Sequence, residues 1–229
     1  MSTPRIHDKL IASAAWEILA PLGFQQKGRS RTWFADEGWW VSVVEFQPSS
    51  WDRGSYLNVA AKWLWRDVPY WSFDFTLDSS ARVSSFSKFE SEEQFTQVSR
   101  ELARVASTET LRLRAALPDV TAVADLLVAR AASSANPHRL YDAAAAAYLA
   151  GRSDEAARLF AQLSLVQPND SPNAGWLQKL RRSGGELAAV TGDDDRLLEV
   201  LSHQVATSRK ALALPESHVA LPLVRRSAR

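Results

Sequence analysis

The chain has 229 residues, of which 46% are hydrophobic and 23% are charged, and its formal net charge is +1. This composition is typical of globular proteins, and a nearly neutral chain has no overall electrostatic preference for nucleic acid or for an anionic membrane. Cysteine is absent, which excludes disulfides, thiol nucleophiles, cysteine zinc sites and iron–sulfur clusters. We therefore expect a cytoplasmic protein that uses no cofactor.

The first half of the chain predicts one helix followed by strands. Apolar residues recur at helical spacing between His7 and Leu22, and Gly23 stands where a helix C-cap belongs. This start has no uninterrupted apolar run, so it predicts an amphipathic helix and not a signal peptide. Aromatic and β-branched segments predict four strands, at residues 29–35, 39–47, 55–65 and 71–77.

The faces of these strands follow from the two-residue period of β-structure. One face is apolar, and we expect it to form the core under the first helix; it carries Trp40, Val44, Phe46, Leu57, Val59, Ala61 and Trp63. The opposite face is mixed and carries Trp39, Val41, Val43, Glu45, Gln47, Tyr56, Asn58, Lys62 and Leu64. A hairpin is predicted where Asp36, Glu37 and Gly38 separate two strands.

The second half is rich in Ala, Leu and Arg, and eight of the nine tryptophans precede it. Ser91 and Gln94 fit a helix capping box, and further helices are predicted at residues 120–132, 172–183, 186–191 and 194–213. The change in composition predicts an α+β class. An antiparallel sheet with a flanking helix occupies residues 1–117, and an all-α region occupies residues 118–229.

Residues 137–170, PHRLYDAAAAAYLAGRSDEAARLFAQLSLVQPND, resemble a single tetratricopeptide repeat. Gly151 falls at the turn between two helices, and Ala156, Phe160 and Pro168 occupy the small, large and terminating positions. Three positions that usually hold Trp, Leu and Gly differ here: Leu140, Ala143 and Ala144. An alanine-rich helical hairpin packed on its neighbours is the alternative interpretation.

Sequence patterns that carry catalysis are missing from the chain. It has no nucleophile elbow, phosphate-binding P-loop, dinucleotide fingerprint or HExxH motif. The acidic run at residues 193–195 could hold Mg²⁺, but carboxylates are also favourable at the start of a helix. We favour the second explanation and predict no metal site.

Trp51 lies in a polar turn, FQPSSWDRGSY, where burial is difficult. It is either a contact residue for a partner or a lid that folds over the sheet edge. The predicted binding residues, all in this turn or its flanking strands, are Gln47, Ser49, Trp51, Arg53, Tyr56 and Asn58. The basic segment KGRSR suggests an anion contact, or alternatively a cationic edge strand, through Lys27, Arg29 and Arg31.

Two segments of the first half, GFQQKGRSRTWF at 23–34 and WWVSVVEFQPSSWDRGSYLNVAAKWLW at 39–65, resemble a bacterial domain family of unknown function. The matching positions are Phe24, Lys27, Gly28, Trp33, Phe46, Gln47, Ser49, Tyr56 and Asn58. The resemblance covers about the first 115 residues. It implies an α+β domain with an antiparallel sheet, and it implies no catalytic residues.

The leading functional hypothesis is a non-enzymatic protein-interaction protein, with an immunity, antitoxin-like or defence accessory role. A second hypothesis is an enzyme or nucleic-acid processing factor that uses Glu45, Asn58 and Lys62, which would have to converge in a pocket. A third is a carbohydrate or nucleotide binder in which Trp39, Trp51 and Tyr56 form stacking platforms on one surface. The sequence leaves the oligomeric state open.

Overall fold

A computed structural model describes residues 6–167, 175–190, 192–215 and 221–224, and it has the predicted α+β class. The antiparallel sheet has five strands in sequential order. These are β1 (Gln25–Gln26), β2 (Thr32–Asp36), β3 (Trp40–Gln47), β4 (Gly54–Trp63) and β5 (Arg82–Lys88).

Seven α-helices occur in the described part of the chain. They are α1 (Ile6–Leu19), α2 (Glu92–Ala116), α3 (Val120–Ala131), α4 (Pro137–Leu149), α5 (Ser153–Leu165), α6 (Gly175–Ala189) and α7 (Asp194–Ala211). A short 3₁₀ turn, Ala20–Leu22, follows α1 and ends at Gly23, which has the left-handed φ of +86° expected of a C-cap. None of these helices combines the length and hydropathy needed to cross a membrane.

The backbone contacts divide the chain into two compact units. The sheet unit contains Met1–Trp63 and Tyr70–Ala115, and the helical unit contains Leu64–Pro69 and Ala116–Arg229. The division therefore does not fall at a single point in the sequence. The short segment Leu64–Pro69 follows β4 directly but belongs with the helices.

The core of the sheet unit confirms that the predicted apolar strand face is buried, although Val41, Val43 and Lys62 on the opposite face are buried as well. In the β3–β4 register Val44 pairs with Val59 and Phe46 with Leu57, and all four are buried. They belong to one apolar cluster that also contains residues of α1 and α2. These are Ile11, Ala14, Ala15 and Leu19 from α1, and Phe95, Leu102, Ala103 and Ala106 from α2. The amphipathic stripe of α1 thus packs against the part of the predicted apolar face that holds Val44, Phe46, Leu57 and Val59.

The other two aromatic residues of the predicted core, Trp40 and Trp63, pair directly across β3 and β4. Both are buried, and their ring centroids lie 6.3 Å apart, but neither belongs to the apolar cluster that contains α1, so their predicted position beneath the first helix is not confirmed. The Asp36–Gly38 hairpin is also confirmed, with the Glu37 amide donating to the Trp40 carbonyl at 3.0 Å.

The strand prediction failed after β4. Residues 71–77 do not form a strand, since only one bridge forms there, between Phe75 and Ala61. The edge strand β5 was missed because its sequence, RVSSFSK, is mostly polar and does not alternate. Its pairing with β4 is interrupted by register shifts near Leu57, so its strand character depends on β4 and not on its own pattern.

The helical unit is organised around α4. Every residue from Leu140 to Leu149 is buried, so this stretch has no open face. Asn136 caps α4 by accepting from the amides of His138 and Arg139. Gly151, with φ of +74°, makes the turn into α5 as predicted. Pro168 and the predicted helix start at 172 lie outside the described residues.

Gly184 does not end a helix, contrary to the sequence-based expectation of separate helices at 172–183 and 186–191. α6 continues through it to Ala189. A Cβ at Gly184 would lie 3.0 Å from Phe160 Cδ1 and 3.2 Å from Leu163 Cδ2. The glycine therefore allows α6 to approach α5 closely, a packing role that the local sequence does not reveal.

Candidate functional site

The loop between β3 and β4 is braced by its own side chains. Ser49 Oγ accepts hydrogen bonds from the backbone amides of Trp51, at 3.1 Å, and Asp52, at 3.4 Å. Ser side chains often accept such hydrogen bonds from nearby backbone amides in turns. At the end of the loop Gly54 has φ of +152°. A Cβ at this position would clash with the Ser87 carbonyl oxygen of β5. The loop therefore holds its tip in a defined position.

Trp51 at that tip is 94% exposed. The lid interpretation is therefore wrong, because a lid would bury the indole against the sheet edge. The contact-residue interpretation remains.

Beside this loop lies an open cleft of about 660 Å³. Three segments form its walls: the first turn of α1, the β1–β2 turn and the β3–β4 loop. The polar and aromatic side chains that line it are His7, Asp8, Gln26, Arg29, Ser30, Arg31, Thr32, Glu45, Ser49, Ser50, Trp51, Asp52 and Arg53. Three of the six predicted binding residues, Ser49, Trp51 and Arg53, therefore lie on this cleft.

Arg31 joins the walls of the cleft and does not serve as the predicted free anion contact. Its Nε donates to Asp8 Oδ1 at 2.6 Å, its Nη2 forms an ion pair with the same carboxylate, and its Nη1 donates to the Gly54 carbonyl at 2.8 Å. The guanidinium thus links α1 to the start of β4. Asp8 neutralises its charge.

The other two cations of the basic segment, Lys27 and Arg29, lie in different surroundings. Arg29 lines the cleft, whereas the Lys27 ammonium lies 5.3 Å from the centroid of the Trp71 ring. That distance is typical of a cation–π contact. The three cations of KGRSR therefore do not converge on one anion site.

The remaining predicted binding residues form a second cluster on the sheet face, which adjoins the cleft at Glu45. Asn58 Nδ2 donates to Glu45 Oε2 at 2.9 Å and to Gln47 Oε1 at 3.0 Å. Arg82 from β5 also donates to Gln47 Oε1 at 3.0 Å, and its guanidinium lies 4.0 Å from the Tyr56 ring centroid. Sequence reasoning missed Arg82 because it missed β5.

Neither alternative hypothesis finds its required geometry. Glu45 pairs with Asn58, whereas Lys62 lies four residues farther along β4, about 13 Å away. Lys62 is fully buried and donates to Ser72 Oγ at 3.2 Å, so it does not face the cleft with Glu45.

The three proposed stacking rings do not share a surface. Trp39 is only 8% exposed and is stacked on Trp63 with an interplanar angle of 8°. Tyr56 is in contact with Arg82 and with Phe86. Trp51 is therefore the accessible ring of the three.

The helical unit contains a buried polar cluster that the sequence did not predict. Asp142 on α4 accepts from Trp65 Nε1 and Arg66 Nε, each at 3.3 Å, and forms an ion pair with the Arg66 Nη2. Ser208 Oγ donates to the Arg66 carbonyl at 3.0 Å. These groups are buried, so they fix the segment Leu64–Pro69 in place and are not a binding site.

Tyr141 belongs to the same cluster and donates to Gln204 Oε1 at 3.0 Å. Burial raises the pKa of this phenol above its ordinary value, and the neighbouring Asp142 carboxylate raises it further. The phenol thus remains a neutral donor, which suits a structural hydrogen bond.

No three His, Asp or Glu side chains among the described residues are grouped so that they could hold a metal ion. Comparison of the chain with protein families, with curated proteins and with solved structures finds no match. The functional argument therefore depends on the site itself.

Proposed function

We propose that the protein is a non-enzymatic interaction protein that binds a protein partner through the Trp51 loop and the adjoining cleft. The observation that carries the proposal is the 94% exposure of Trp51 on a loop whose conformation is fixed by Ser49. Exposed tryptophans are costly in water, and Trp is among the residues most enriched at the energetic centres of protein interfaces.

The surroundings of Trp51 favour a protein over a sugar or a nucleotide. Small cyclic ligands are commonly held between several rings, but Tyr56 is covered by Arg82 and Trp39 is buried. A protein contact needs one anchoring ring with a polar rim, and here the rim consists of Ser49, Ser50 and Arg53.

An immunity, antitoxin-like or defence accessory role in the cytoplasm is part of this proposal. It is supported by the resemblance of residues 23–65 to a small bacterial domain family. Among the positions that carry the resemblance, Phe24, Trp33 and Phe46 are buried in the core of this chain, whereas Ser49 lines the cleft. The pattern thus combines positions that maintain the fold with one that shapes the Trp51 loop.

The helical unit resembles a tetratricopeptide repeat, but it does not supply the proposed binding surface. The α4–α5 pair, the Gly151 turn and the Tyr148–Phe160 ring contact at 5.7 Å support that likeness. Because Leu140–Leu149 is buried, α4 offers no groove for a peptide. We therefore assign partner binding to the sheet unit.

The experiment that tests the proposal compares two exposed tryptophans in the sheet unit. Trp51→Ala should leave the melting temperature almost unchanged but reduce partner capture from a lysate of the source organism. Removal of a central interface Trp typically costs about 2 kcal/mol or more of binding free energy, or roughly thirtyfold in affinity. Trp16→Ala is the matched control, since Trp16 is 65% exposed on α1 and does not line the cleft.

Two results would contradict the proposal. One is equal capture by wild type, Trp51→Ala and Trp16→Ala, with capture quantified by mass spectrometry. The other is a clear loss of melting temperature in Trp51→Ala with capture unchanged, because that would give Trp51 a role in the fold.

A further inference from the structure

The charge distribution around the cleft indicates the chemistry of its partner. We infer that the cleft binds an acidic peptide segment, with Arg53 contacting a carboxylate next to the Trp51 anchor. This inference rests on the proposed function, and it adds the chemical character of the bound segment.

Each carboxylate that lines the cleft already has a partner within the protein. Asp8 forms an ion pair with Arg31, and Glu45 accepts from Asn58 Nδ2 at 2.9 Å. Asp52 lies 4.0 Å from Lys88 Nζ in an exposed pair. Cations therefore compensate Asp8 and Asp52, whereas Asn58 is neutral and leaves the negative charge of Glu45 in place.

Arg53 differs from these groups. Its side chain is exposed at the rim of the cleft, and no hydrogen bond or ion pair of its guanidinium is found within the described residues. Its backbone is fixed, because the Arg53 carbonyl accepts from the Phe89 amide at 2.9 Å. The Arg53 guanidinium thus places a positive charge at the rim of the cleft, and the hydrogen bond from Phe89 holds the backbone of this residue.

Guanidinium groups bind carboxylates through two parallel hydrogen bonds, which Arg53 can offer to an incoming Asp or Glu. Trp51 lies two residues before Arg53 in the same loop, so a single segment can cover the indole and reach the guanidinium. Arg29 also lines the cleft, where it already interacts with other residues of the protein.

A nucleic-acid backbone fits this surface less well. Glu45 lies on the cleft and keeps its negative charge, because its partner Asn58 is neutral, and a continuous row of phosphates would pass close to it. The chain as a whole has a net charge of only +1, so it lacks the broad basic surface that supports phosphate binding. A peptide can place its few carboxylates at Arg53 and avoid the acidic positions.

The test uses the full chain with a photoreactive benzoylphenylalanine introduced at Ser50, which is exposed and lines the cleft. After irradiation in a lysate of the source organism, mass spectrometry identifies the crosslinked segment. We expect a protein segment with more Asp and Glu than Lys and Arg. Arg53→Glu in the same background should reduce the crosslinked yield about tenfold or more, and Arg53→Lys should reduce it less.

The matched control is Arg104→Glu, which reverses an exposed charge on α2 away from the cleft and should leave the yield unchanged. The crosslinked segment is then synthesised with its Asp and Glu residues and with Asn and Gln in their place. The acidic form should bind the wild type more tightly, with a difference that shrinks as salt is added.

The outcomes separate the two claims. A neutral or basic crosslinked segment, or equal yields for Arg53→Glu and Arg104→Glu, overturns the acidic-segment inference while protein binding stands. Two results overturn the proposed function together with the inference. One is crosslinking to nucleic acid, and the other is the absence of any crosslinked partner when the photoreactive protein retains Trp51 and Arg53.

Discussion

Gly54 shows how one residue fixes the site. It ends the Trp51 loop with φ of +152°, a conformation that residues with a Cβ rarely adopt. A Cβ placed there would lie 2.2 Å from the Ser87 carbonyl oxygen and 2.6 Å from Phe86 Cζ. Both the backbone angle and the close approach of β5 therefore require glycine at this position.

Substitution of two glycines tests this reasoning. Gly54→Ala should lower the free energy of unfolding by at least about 2 kcal/mol, because it combines backbone strain with a clash against β5. Gly23→Ala should cost less, about 1 kcal/mol, since Gly23 has φ of +86° but nothing within 4 Å of the added Cβ. Urea unfolding of both variants measures the difference. Equal losses would mean that β5 does not crowd Gly54.

At the scale of an element, a glycine also allows the close packing of α6 on α5. Two adjacent glycines, Gly184 and Gly185, lie inside α6, where glycine weakens a helix. Gly184 faces Phe160 and Leu163, whereas a Cβ at Gly185 meets nothing within 4 Å. The two positions have the same helix propensity but different surroundings.

We predict opposite effects of substitution at these neighbours. Gly185→Ala should stabilise the protein by about 0.5–1 kcal/mol, because it restores helix propensity at an open position. Gly184→Leu should destabilise it by about 1–3 kcal/mol, because the larger side chain overpacks the contact with α5. Thermal unfolding followed by far-UV circular dichroism provides both values. Stabilisation by Gly184→Leu would show that α5 yields to the new side chain.

The segment Leu64–Pro69 groups with the helical unit although it directly follows β4. The buried ion pair of Arg66 with Asp142 holds this segment on α4. A buried pair adds little net stability compared with a well-packed apolar pair, but loss of one partner leaves an uncompensated charge.

A double-mutant cycle on this pair tests that role. Asp142→Leu alone should cost about 3–5 kcal/mol of unfolding free energy, because the Arg66 guanidinium remains buried without its carboxylate. Arg66→Met combined with Asp142→Leu should recover most of that loss. Denaturant unfolding of the two single variants and the double variant measures the coupling. Additive losses in the double variant would show that the ion pair does not act as a unit.

The sequence by itself determined the features whose signals are local. Helical spacing, the Gly23 and Gly151 turns and the two-residue period of β3 and β4 predicted the α+β class and the buried strand face. Each of these signals acts between residues a few positions apart, so one stretch of chain contains the whole of it. Trp51 was also singled out this way, as an aromatic residue in a polar turn.

Only the tertiary structure decided which residues meet. Arg31 was expected to contact anions but pairs with Asp8, 23 residues away, and Arg66 pairs with Asp142 across 76 residues. β5 and the packing of Gly184 also depend on distant partners. These contacts bring together residues that no local period relates, because their free energy comes from burial and charge pairing in the folded chain. The cleft beside Trp51 is formed in the same way, from three segments that are separate in the sequence.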